Sequence, residues 1–76
     1  MPFTRYDLRN ADERIAEVAA IVERQRARLS RLREQSADTA WIEQLLAAME
    51  RTLQTFREHK RRIEDELKGA KESGQG

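Results

Sequence analysis

The chain of 76 residues contains no cysteine. Disulfide staples, thiolate nucleophiles and Cys-based zinc or iron–sulfur sites are therefore excluded, and stability has to come from packing or from association. Strong helix breakers are scarce too. The one proline is Pro2 and the three glycines are Gly69, Gly74 and Gly76, so residues 3–68 contain neither. Aromatics number only four, and the longest mostly apolar stretch, Ile15 to Val22, is broken by Glu17. No segment reads as a membrane span. The first residues lack the basic stretch and apolar run of a secretion signal, which makes the cytoplasm the expected location. Neither charge sign dominates: 15 basic residues face 14 acidic ones, for a formal charge of +1. A dedicated nucleic-acid binder usually carries a clearer basic excess.

What the chain does have is a helical rhythm. Leu8, Ile15, Val22 and Leu29 recur every seven residues, with Ala11, Val18, Gln25 and Leu32 three positions further on. A second series follows, with Leu46, Leu53, Lys60 and Leu67 at a, and Ile42, Met49, Phe56 and Ile63 at d. Fourteen of these sixteen a and d positions are apolar, and only Gln25 and Lys60 interrupt the two seams. Between the series, Ser36-Ala37-Asp38-Thr39 gathers small polar residues that compete for backbone hydrogen bonds.

The pattern predicts an all-α fold: an antiparallel, coiled-coil-like two-helix hairpin with helices over about 10–36 and 39–68 and a turn at 36–38. Asp38 is the expected N-cap of the second helix. Two capping patterns compete to start the first, Asn10-Ala-Asp-Glu13 and Thr4-Arg-Tyr-Asp7, so residues 1–9 are either an arm or the first helical turns. Gly69 is expected to stop the second helix and residues 69–76 to form a disordered tail. Flanking charges favour the register that sets Arg33 near Glu43, Arg26 near Glu50 and Arg14 near Glu66. A shift of one heptad, with Arg26 near Glu43 and Asp12 near Arg57, is the competitor.

Two helices bury only one stripe each, and 19 apolar residues larger than alanine make a thin core for a monomer. A second apolar stripe comprises Trp41, Leu45, Ala48 and Thr52 of the second helix with Ile21 of the first. It predicts a homodimer in the form of a four-helix bundle, with another protein as a further partner. The sequence offers no catalytic constellation. His59 stands among Arg57, Lys60, Arg61 and Arg62, no Glu precedes it by three positions, and there is no phosphate loop or nucleophile elbow. No enzyme activity, metal or cofactor is expected. The competing function rests on Arg24, Arg28 and Arg31, which share one face of the first helix and could bind the phosphates of RNA or DNA.

The segments Arg14-Ile-Ala-Glu17, Arg24-Gln-Arg-Ala-Arg-Leu29, Asp38-Thr39, Leu45-Leu46, Met49-Glu50 and Phe56-Arg-Glu-His-Lys-Arg-Arg-Ile63 resemble a group of short α-proteobacterial proteins to which no activity is assigned. The resemblance spans about residues 13–68. It implies a small bacterial helical hairpin and transfers no site. Members of that group usually carry a glycine in the turn before the Asp-Thr pair, where this chain has Ser36-Ala37.

Overall fold

A computed structural model describes residues 3–74, and within them the chain forms two helices, α1 (Arg5–Glu34) and α2 (Ala40–Gly74). They pack against each other along their length in a rod of 62 × 15 × 14 Å. The hairpin expected from the heptads is thus the observed fold. All sixteen seam positions are buried or half-buried, the polar Gln25 and Lys60 included. Val22, Leu29, Ile42 and Leu46 form one core cluster in the half of the rod next to the turn, with Val18, Leu32 and Met49 packed against it, and Leu53, Ile63 and Ala11 are buried further along. Only the last pair of the seam is more open, with Leu8 and Leu67 half-buried on either side of a groove.

The earlier of the two capping patterns starts α1. The Thr4 hydroxyl accepts the backbone N–H of Asp7 at 3.3 Å, and the Asp7 carboxylate accepts the N–H of Thr4 at 2.7 Å. Both members of the capping box are satisfied, and the acid also complements the positive end of the helix dipole. Residues 5–9 are therefore helical turns, and α1 begins earlier than residue 10. Phe3, just ahead of the cap, reaches across to α2 and meets the His59 ring edge-on, with centroids 5.6 Å apart. Residues 1 and 2 lie outside the described residues.

α1 ends in a Schellman turn. The Ala37 N–H donates to the Leu32 carbonyl at 3.1 Å and the Ser36 N–H to that of Arg33 at 3.0 Å. Ser36 takes φ 56, the left-handed conformation that glycine adopts without steric cost. The connection occupies residues 35–39, slightly longer than the expected 36–38. Thr39 rather than Asp38 immediately precedes α2. The Asp38 carboxylate still accepts the first helical N–H, that of Ala40, at 3.0 Å, so it caps from one residue further out.

Two expectations need correction at the other end. Gly69 does not stop α2, which continues to Gly74, so the tail expected from residue 69 is helical over 69–74, while 75 and 76 lie outside the described residues. Among the described residues no glycine takes a positive φ, so Gly69 does not form the left-handed cap expected of it. Ala70, Lys71 and Glu72 after it are good helix formers that extend the ladder.

Candidate interaction surface

In an antiparallel pair the e sites of both helices line one flank of the seam and the g sites the other. Charge pairs fill the e flank. Arg26 donates to Glu50 at 2.7 Å and to Glu23 of its own helix at 2.8 Å, and Arg33 is paired with Glu43 at 2.5 Å. The hydrogen bond to Glu50 is the first cause of a raised Arg26 pKa, with the charges of Glu50 and Glu23 adding to it. These contacts are those of the favoured register, and they exclude the one-heptad shift.

The third expected pair, Arg14 with Glu66, does not form. Lys60 instead leaves its a site and reaches the e flank, where its Nζ lies 2.6 Å from Asp12 Oδ1. Its pKa is raised, first by that hydrogen bond and further by the charges of Asp12 and Glu64. A flexible four-carbon stem lets the ammonium escape the seam while its methylenes stay on it. Gln25 cannot follow. Its Oε1 is buried with no hydrogen-bond partner among the described residues.

The g flank carries no ion pair among the described residues and two of the three exposed large apolar side chains, Trp41 and Leu45; the third, Tyr6, lies at an f site of α1. Trp41 is 49% exposed and Leu45 42%, Ala48 and Thr52 are exposed, and Ile21 is half-buried beside them. The Thr52 and Thr55 hydroxyls turn back onto their own helix, donating to the Ala48 and Arg51 carbonyls at 3.1 Å each. Neither hydroxyl needs a partner from outside, so this stretch of α2 presents a nearly apolar surface.

Arg24, Arg28 and Arg31 are all exposed on the same side of the rod. Arg28 does not stand free of the apolar strip: its guanidinium lies 5.1 Å from the centroid of Trp41. Two residues assigned to competing sites by sequence are thereby brought into one cation–π contact. Nothing in the heptad pattern pairs a g site with a c site, which is why the contact is invisible there.

Toward the open end the g flank becomes concave. A groove of about 230 Å³ lies between the helices, lined by Ala11, Arg14, Thr55, Phe56 and His59. A second depression, which Phe3, Asp7 and Asn10 help to line, shares Ala11, Arg14 and His59 with it. The small Ala11 at a d site leaves the space. Among the described residues no three acidic or histidine side chains cluster to hold a metal ion, and no helix is long and apolar enough to cross a membrane. No family model, curated protein or solved structure matches the chain.

Proposed function

We propose that this chain is a non-enzymatic structural module that works as a homo-oligomeric helical hairpin, its g flank covered by a second copy to make a four-helix bundle. The observation that carries the reading is the contiguous strip of Trp41, Leu45, Ala48, Thr52 and Ile21, left accessible while the opposite flank is closed by charge pairs. A rod only one seam thick leaves that strip no cover within its own chain. Two such rods side by side supply the second layer.

Sedimentation velocity and light scattering from about 1 to 100 µM test it, since interfaces of ordinary size commonly have micromolar or tighter affinity. The expected result is a mass of two chains that falls toward one only on dilution. A folded monomer across this range overturns the proposal. The phosphate-binding reading of Arg24, Arg28 and Arg31 is weakened by the engagement of Arg28 on Trp41. Under that reading, binding of a nucleic-acid duplex falls steeply with salt and disappears when the three arginines become glutamate.

A further inference from the structure

The g flank holds both a knob and a hole, and their spacing fixes how a second copy sits. Along α2, Trp41 and His59 lie nine residues to either side of position 50, Leu45 and Thr55 five, and Ala48 and Thr52 two. The bulky apolar members, Trp41 and Leu45, both fall on the turn side. The groove lined by Thr55, Phe56, His59 and Arg14 falls on the other. Small residues occupy the centre. A two-fold axis through the level of residue 50, perpendicular to the rod, therefore superposes each knob on the partner's hole and lets the α2 helices approach closely at Ala48 and Thr52.

Resting on the self-association reading above, we propose that the second copy docks antiparallel about this axis, with Trp41 of each chain seated in the groove beside His59 of the other. Charge on α1 agrees. The Arg26–Glu50 and Asp12–Lys60 ion pairs bracket the level of residue 50 on α1 between residues 22 and 26. An axis at that level brings exposed Glu17 of one copy, which has no ion-pair partner among the described residues, opposite Arg28 and Arg31 of the other. Arg24 falls near its own mate, a like-charge contact, and seating Trp41 beside Arg14 of the partner subunit requires Arg28 to turn from the indole toward Glu17. The competing arrangement, turn beside turn, lays α1 of each copy over the partner's α2. It puts three arginines against the apolar strip and leaves both grooves empty.

The absence of native cysteine makes engineered ones clean reporters. Ala48→Cys and Thr52→Cys chains are mixed and oxidised at a concentration where sedimentation shows the dimer, with Gln44→Cys paired with itself as a control away from the axis. The expected result is a disulfide between positions 48 and 52 of different chains in most of the mixed dimer, and little in the control. In addition Trp41→Ala weakens dimerisation at least about tenfold, as truncation of an aromatic anchor does. His59→Trp, which fills the groove, is expected to do the same, and Arg24→Gln to tighten the dimer. A dimer that forms in all these chains without the 48–52 disulfide overturns the antiparallel geometry and leaves self-association standing. Unaltered chains that stay monomeric overturn both.

Discussion

The two flanks of one seam have opposite characters, although the same two helices supply them. On the e flank Arg26, Arg33 and Lys60 each find a carboxylate. On the g flank Trp41 and Leu45 keep nearly half of their surface in water. Exposed ion pairs contribute only about 0–1 kcal/mol each as a rule, so the e flank adds little to stability. Its value is in choosing a register, because a shift of one heptad would break Arg26–Glu50 and Arg33–Glu43 together. Apolar area is unspecific about register but large in energy once covered, at about 25 cal/mol per Å². The two flanks thus differ in what they can contribute: one pairs charges that favour the observed register, and the other holds apolar area that the proposed association would cover.

The sharpest way to break that contrast is to place a charge on the apolar side. Leu45→Glu puts a carboxylate into the proposed contact, at a cost of about 3 kcal/mol and so a rise of roughly a hundredfold in Kd. Sedimentation at several concentrations measures it. Leu45 is 42% exposed in the single hairpin, so a folded monomer should remain at concentrations where the unaltered chain is a dimer. If the L45E chain and the unaltered one sediment alike, the g flank is not the interface.

Ser36→Gly touches neither flank. A left-handed φ of 56 costs a non-glycine residue about 1 kcal/mol, partly offset in the unfolded chain by glycine's greater freedom. The variant is expected to melt several degrees higher, about 4–8 °C per kcal/mol for a domain of this size, with the dimer constant unchanged at a temperature where both chains are folded. Thermal melts at matched concentration check it. A changed dimer constant would mean that turn and interface are coupled, and the contrast between the flanks would then be too simple.

Which of these features can be seen in the sequence follows from their range. Seam burial is legible because every a and d side chain reports on the same periodic interface, and the turn because small polar residues cluster there. The register is legible for two charge pairs out of three. Arg14 and Glu66 have the right letters, but Lys60 reaches Asp12 instead, and a long side chain that leaves its own site is not described by heptad position. The competing caps at Thr4 and Asn10 are a choice between two local energies of similar size, decided by a box that closes at both bonds. Gly69 suggests a stop by its identity alone, whereas a stop of this kind also needs a left-handed φ. The Phe3–His59 and Arg28–Trp41 contacts join residues far apart in the chain with no periodic relation, and only the fold brings them together.

On the charged side the effects should be small. Glu50→Ala removes one acceptor of Arg26 while leaving Glu23 in place, so the loss of stability should be slight and should shrink further as salt is raised. Urea melts at low and high ionic strength read both quantities. The dimer constant, measured alongside, should not move. A loss as large as that of Leu53→Ala, which truncates a buried seam residue, would show that the e flank carries energy as well as register, contrary to the usual worth of an exposed pair.

Lys60 gives the mildest test, at alkaline pH. Its pKa is raised above the ordinary lysine value of 10.5, first by the hydrogen bond to Asp12 and then by the charges of Asp12 on α1 and Glu64 on α2. A group whose folded pKa is raised stabilises fully while the pH lies below its unfolded value, and that contribution is lost as the pH climbs through the folded one. Stability measured by urea should therefore be flat in this group's contribution up to about pH 10 and decline above it. Lys60→Met replaces the ammonium by an apolar a residue. It should match or exceed the unaltered chain at neutral pH, since a polar a site is held at some cost in stability, and should lose this part of the alkaline decline. A decline of the same size in both chains would assign it to other groups and would leave Lys60 as a seam residue whose contact with Asp12 has no energetic consequence.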